Sequence, residues 1–91
     1  MQYHIQRFEI VEQWLTDQES NREACLAMSN WVKAAVTGPR ELSNGTLQRE
    51  GQRRRKLHYA MIPGAEAIIT YTVADQPVRV MVIISIIPAP E

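Results

Sequence analysis

Residues 78–87, which read VRVMVIISII, constrain the fold more than any other part of the sequence. Nearly all of them are apolar and β-branched, and Arg79 carries the only formal charge. Such residues favour strands, and side chains alternate between the two faces of a strand, so this strand is apolar on both faces. That pattern is typical of a strand covered on both sides. We therefore predict a central or interface strand, with helices on one side and a cover on the other.

The length of the chain limits how much of this apolar surface one molecule can hide. A chain of 91 residues forms one domain, over residues 1–91, and a domain of this size buries only about 60–65% of the surface that its unfolded chain exposes. Ile83, Ile84, Ile86 and Ile87 offer more apolar surface than one such core can hide. The sequence thus predicts a homodimer, or a heteromer with a partner protein.

Two amphipathic helices are predicted in the first half of the chain. The first carries apolar residues at helical spacing: Phe8, Val11, Trp14 and Leu15. The second is expected to begin at a capping box, Ser20 to Glu23, in which each residue can bond the backbone amide of the other. Gly38, in a left-handed conformation, and Pro39 are expected to stop this helix near Thr37.

The remaining segments are predicted to form a sheet. Residues 2–7 alternate in polarity, as an edge strand does, and residues 57–61 and 67–73 are rich in strand-forming residues with Pro63-Gly64 between them. Residues 38–52 are predicted to form a loop, with a short strand or turn near Thr46-Leu47. The order β-α-α-β-β-β is an α+β fold, with a helical hairpin on one face of a small antiparallel sheet.

Several classes of protein are disfavoured by the composition. Cys25 is the single cysteine, so no intramolecular disulfide can form, and its place on an apolar helical stripe favours a structural thiol over a nucleophile. The start of the chain lacks a signal-peptide pattern, and no apolar run approaches the roughly 18 residues of a membrane span. We expect a cytoplasmic protein that does not insert in a membrane.

The familiar catalytic motifs are missing from the sequence. It contains no phosphate-binding glycine loop, no GxSxG, no CxxC and no HExxH, and neither His4 nor His58 has a partner at metal-ligand spacing. The sequence therefore predicts neither a metal nor a cofactor.

Positive charge is concentrated in residues 49–56, where one acidic residue, Glu50, stands among five basic ones: Arg49, Arg53, Arg54, Arg55 and Lys56. If residues 55–61 form a strand, Lys56 and His58 project from one face and Tyr59 from the other. Cations can neutralise phosphates, and aromatic rings can stack on bases, so the pattern is compatible with RNA binding, although a charge run taken alone is more often a solvated surface. The alternative is a solvated strand edge whose charge resists aggregation.

The chain resembles the RelE/ParE superfamily of bacterial toxins, in particular a HigB-like subgroup. The resemblance lies in "ITYTVAD" and "VRVMVIISI", which are similar to the family's "GYRVIYxVxD" and "VxVxxIxxR", and in "FEIVEQWLTDQ", which is similar to "FxxWLxxLxD". It covers most of the chain. It implies the toxin of a toxin–antitoxin module, held inactive by a cognate antitoxin and directed at RNA on the ribosome or at gyrase.

For the site, the resemblance implies a ribosome-dependent mRNA endonuclease in which His58 and Lys56 are catalytic. RNA would be bound by a second set of residues: Arg53, Arg54, Arg55 and Tyr59. The family also carries an Arg in the segment aligned with residues 66–69 and a basic or aromatic group at the end of the last strand. Here those positions read EAII and IIPAPE, so the implied nuclease set is incomplete. The alternative function is a catalytically inactive interaction domain, either dimerising or directed at gyrase.

Overall fold

The computed structural model describes residues 2–47 and 56–90, which form two helices and a five-stranded sheet. The helices are α1 (Glu9–Asp17) and α2 (Arg22–Ala35). The strands are β1 (His4–Gln6), β2 (Gly45–Leu47), β3 (Leu57–Ile62), β4 (Ala67–Ala74) and β5 (Val80–Pro88). The sheet has the order β1-β5-β4-β3-β2, and the predicted α+β fold is confirmed.

The apolar strand lies inside the sheet, as its sequence predicted. β5 pairs with β4 in antiparallel fashion along its length and with β1 in parallel fashion over Val80 to Val82, so a strand borders it on both sides at its start. The parallel pairing makes the sheet mixed rather than wholly antiparallel. β1, the predicted edge strand, is separated from β5 in the chain by both helices and by β2, β3 and β4, and such a long connection allows two neighbouring strands to run in the same direction. The short strand predicted near Thr46-Leu47 is present as β2, at the opposite edge.

Both helices cover the same face of the sheet, which we call the inner face. Their buried residues form one cluster with the inward-pointing strand residues: Val11, Met28, Trp31, Ala35, Ala60, Ile62, Ile69, Tyr71, Met81 and Ile83. Strand register sets which side chains point inward, since paired residues share a face. Ala60 pairs with Ile69, and Ile69 with Ile86, so one inward row crosses three strands.

The predicted boundaries of α2 need two corrections. Its N-cap is Asn21, not Ser20: the Asn21 side-chain oxygen accepts a hydrogen bond from the Ala24 amide at 3.1 Å. Asn and Ser cap equally well, and here the chain turns into the helix one residue later. At the other end, the helix stops at Ala35, and Gly38 is not in the left-handed conformation that was predicted for it. Among the glycines of the described residues, only Gly64 has a positive φ, +88°.

Gly64 lies in the β3–β4 turn, where its conformation and its surroundings both favour glycine. A Cβ atom there would lie 3.2 Å from the Cβ of Ala27 on α2, so the turn packs closely against the helix. Among the described residues, no helix has the length and apolar character needed to cross a membrane.

Candidate nucleic-acid interface

An open cleft of about 640 Å³ lies at one end of the sheet. β1, β3 and β5 begin at this end, where Val80 pairs with both His4 and Ala74, and β2 and β4 finish here. We call it the cleft end. The cleft is lined by strand residues, by the β4–β5 turn and by three basic side chains: Arg40, Lys56 and His58.

A polar network fixes the wall of the cleft that carries Arg40. The Tyr3 hydroxyl donates a hydrogen bond to the Asp75 carboxylate, and Arg40 bonds both, with Nη1 at 3.1 Å from the Tyr3 oxygen and Nη2 at 2.9 Å from Asp75. The Tyr3 hydrogen bond, followed by that of Arg40, holds the pKa of Asp75 below its usual range. The network joins the start of the chain, the α2–β2 loop and the β4–β5 turn.

Positive charge outweighs negative charge around this network. The Arg79 guanidinium lies over the Tyr3 ring, 5.8 Å from its centre, in a cation–π contact. Lys56 is exposed at the start of β3. Three cations, Arg40, Lys56 and Arg79, therefore lie at the cleft end together with one carboxylate, Asp75. Glu41 follows Arg40 in the chain, but its side chain lies back against Gly38.

His58 lies on the inner face rather than projecting into solvent as the sequence suggested. It shares a face with Lys56 and Ala60, as strand alternation predicted, but that face is the one the helices cover. His58 is only 9% exposed, and its ring stacks on Tyr71 with 5.5 Å between ring centres. Its Nδ1 lies 3.1 Å from the Ser43 hydroxyl oxygen.

The surroundings of His58 favour its neutral form. Burial is the main cause that lowers its pKa, and the positive charges of Arg40 and Lys56 lower it further. At neutral pH the imidazole is thus uncharged and adds no positive charge to the cleft. Its remaining chemical capacity is that of a neutral base or hydrogen-bonding group.

Tyr71, which the sequence did not single out, connects His58 with the loop that carries Arg40. Its hydroxyl donates a 2.6 Å hydrogen bond to the Pro39 carbonyl, and its ring meets Trp31 edge-on with 5.6 Å between centres. The residue is fully buried, and burial raises the pKa of its hydroxyl to about 12. Because Pro39 precedes Arg40, this bond anchors the backbone that positions the guanidinium.

The other predicted site residues do not gather around His58. Tyr59 points to the opposite face of the sheet, where it pairs with Gly45 and Thr70. Arg53, Arg54 and Arg55 lie outside the described residues; in sequence they directly precede Lys56.

The network at the cleft was not predictable from a local pattern. Tyr3 and Asp75 are 72 positions apart, and Arg40 is 37 from Tyr3. Sequence patterns act over a few neighbouring residues, so none of them links residues this far apart in the chain. The sequence around each of the three residues gives no sign of a site.

The arrangement is suited to binding an anion. Arginine has five donors in a planar fork, and the network takes up one contact at each of Nη1 and Nη2 of Arg40, which leaves donors for a phosphate. In the described part of the chain, no group of three His, Cys, Asp or Glu side chains is placed to hold a metal ion.

Comparisons of the chain with protein-family models, with curated proteins and with solved structures gave no match.

Proposed function

We propose that the protein binds RNA at the cleft end of its sheet, as a toxin-like protein of the RelE/ParE type. The single observation that carries this proposal is the presence of three cations from separate parts of the chain at the cleft end: Arg40 and Lys56 line the cleft, and Arg79 lies over the ring of Tyr3, which bonds Arg40. Three cations against one carboxylate leave a local excess of positive charge in a protein of zero formal net charge. Polyanions bind through such local excesses.

The order of the sequence adds to this support. Leu47 pairs with Leu57, so the segment that joins β2 to β3 leaves and re-enters the described structure at the cleft end. That segment carries Arg49, Arg53, Arg54 and Arg55. In sequence, these basic residues directly precede Lys56.

The geometry supports binding better than cleavage. Attack by a ribose 2′-hydroxyl needs a base, an acid and charge stabilisation near the phosphate. Lys56 and Arg40 can stabilise charge, and neutral His58 is chemically fit to act as a base, but its ring is almost buried and its Nδ1 lies against Ser43. We therefore place RNA binding first, with endonuclease activity dependent on His58 and Lys56.

The toxin assignment rests on the sequence resemblance together with the proposed RNA site. It implies a cytoplasmic protein, a cognate antitoxin and ribosome-associated RNA as target. Induced expression in a bacterial host is expected to arrest growth, and substitution of both Lys56 and Arg79 by Gln is expected to relieve the arrest. Normal growth at high wild-type expression would count against the toxin assignment without bearing on RNA binding itself.

RNA binding is tested by fluorescence anisotropy with a labelled single-stranded RNA over a series of salt concentrations. For the Lys56→Gln/Arg79→Gln variant we expect weaker binding and a salt slope reduced by roughly 0.7 for each lost phosphate contact, or about 1.4 in total. The matched control is Lys33→Gln, which removes a positive charge from an exposed position at the end of α2. If the double variant and the control bind RNA equally well, the cleft end is not the binding site.

A further inference from the structure

The face of the sheet opposite the helices, which we call the outer face, carries no formal charge. Among the described strand residues, those that point outward include none of Asp, Glu, Lys or Arg. In the whole chain 22% of residues are charged. An uncharged face on such a protein is unusual for a surface in contact with water, which favours charged side chains.

Large apolar side chains stand on this face. Leu47, Met61 and Ile87 are 48%, 52% and 50% exposed, each on a different strand. Met61 pairs with Ile68, and Ile68 with Ile87, so three apolar side chains form a continuous row across β3, β4 and β5. A contiguous apolar surface of this kind is more often an interaction site than a surface that stays in contact with water.

Two hydroxyl groups at the centre of the outer face bond each other. The Thr70 and Ser85 hydroxyl oxygens lie 2.6 Å apart in a hydrogen bond between β4 and β5. A polar group that has an internal partner can lose contact with water at little cost. Thr70 is already only 8% exposed in the monomer, so a partner can cover this position with little further loss of contact with water.

We infer that the outer face binds the outer face of a second copy of this chain, forming a symmetric dimer in which two sheets pack against each other. Five strands about 4.8 Å apart and about six residues long, at about 3.4 Å per residue, give a face of about 480 Å². Two such faces bury about 1,000 Å², which is at the lower limit for a specific interface, so we expect a dissociation constant in the micromolar range.

The dimensions favour a second sheet over a single helix. A helix is about 10 Å across and would cover less than half of a face about 24 Å wide. A second copy supplies a flat surface of the same size, and because neither face is charged, the contact involves no repulsion between like charges. Gln6, Thr72 and Val82 belong both to the outer face and to the lining of the cleft, so the dimer covers that part of the cleft and leaves Arg40 and Lys56 at its rim.

Sedimentation velocity of the full-length protein tests this inference over a range of roughly 1–200 μM, which brackets the expected constant. The wild type is expected to pass from monomer to dimer as concentration rises. The Met61→Glu/Ile87→Glu variant is expected to dimerise at least about 100-fold more weakly, because two carboxylates would be buried without partners. Both positions are half exposed in the monomer, so the fold is expected to survive, and circular dichroism checks this.

The matched control is Leu26→Glu, which introduces the same charge at a large apolar residue that is 64% exposed on α2, away from the outer face. It is expected to dimerise like the wild type. A wild type that stays monomeric at the highest concentration would overturn the inference, and so would a dimer that Met61→Glu/Ile87→Glu leaves intact. Binding of an added helical partner by a monomeric wild type would assign the face to a heteromer instead. None of these outcomes depends on RNA binding, which the Lys56 and Arg79 variant tests separately.

Discussion

Removal of a single hydroxyl group tests how the core supports the cleft. Tyr71→Phe deletes the donor of the 2.6 Å hydrogen bond to the Pro39 carbonyl but keeps the ring that stacks on His58 and meets Trp31. Tyr71 and Pro39 are both fully buried, so the carbonyl is left without its partner in the interior. A buried polar group that loses its partner costs about 1–3 kcal/mol. Since the ring packing is unchanged, we expect the whole loss of unfolding free energy to fall in that range.

The assay is urea unfolding followed by circular dichroism, with a thermal melt as a second measurement. In a domain of this size each 1 kcal/mol lowers Tm by roughly 4–8 °C. The matched control is Tyr59→Phe, which removes a hydroxyl from the outer face and is expected to change stability by less than about 0.5 kcal/mol. If Tyr71→Phe is as stable as the control, the hydrogen bond from Tyr71 to the Pro39 carbonyl does not stabilise the fold.

Alkaline pH provides an independent check on the same residue. Burial raises the pKa of Tyr71 to about 12 from an ordinary value of 10.0. A folded-state pKa above the unfolded one means that the stabilisation is complete below pH 10 and is lost as pH rises through 12. The two-unit difference corresponds to about 2.7 kcal/mol as an order of magnitude. The wild type is therefore expected to lose more stability than Tyr71→Phe between these pH values, and equal losses would contradict the burial argument.

Two further predictions concern His58 and the start of α2. Burial lowers the pKa of His58, so its contribution to stability is complete above the unfolded value of about 6.5 and is lost as pH falls below that value through the folded pKa. Between about pH 7.5 and pH 5, urea unfolding should therefore show a larger loss of unfolding free energy for the wild type than for His58→Gln. Identical losses would contradict a buried, neutral His58. Asn21→Ala is expected to lower the unfolding free energy by about 1 kcal/mol, measured by thermal or urea unfolding, because it removes the side-chain cap of α2. Ser20→Ala should lower it by less than about 0.5 kcal/mol. A larger loss for Ser20→Ala than for Asn21→Ala would show that Ser20 is the N-cap.

Local patterns predicted the elements of the fold well, because the signals that form an element lie within it. The apolar run of residues 78–87 predicted a covered strand, and β5 has a partner on each side. Helical spacing from Phe8 to Leu15 predicted α1, which spans Glu9–Asp17. The predicted N-cap was wrong by one residue at the start of α2, because Ser20 and Asn21 are neighbours and either type of residue can cap a helix.

For the candidate site, the sequence predicted residue types but not their surroundings. Alternation along β3 placed Lys56 and His58 on one face, yet nothing in the local pattern indicated that the helices cover that face. The ring of His58 lies against Ser43 of the α2–β2 loop and against Tyr71, which pairs with it from β4. Whether a histidine is charged and exposed or neutral and buried is therefore a property of the packing.

The sequence by itself determined which segments become helices and strands, since periodicity and intrinsic preference act over a few neighbouring residues. Only the tertiary structure decided which residues meet at the cleft end, where Tyr3, Arg40 and Asp75 converge from the start, the middle and the last third of the chain. Their meeting depends on the parallel placement of β1 beside β5 and on the anchoring of Pro39 by Tyr71. Those are contacts between distant segments, and their energies arise only when the whole sheet is assembled.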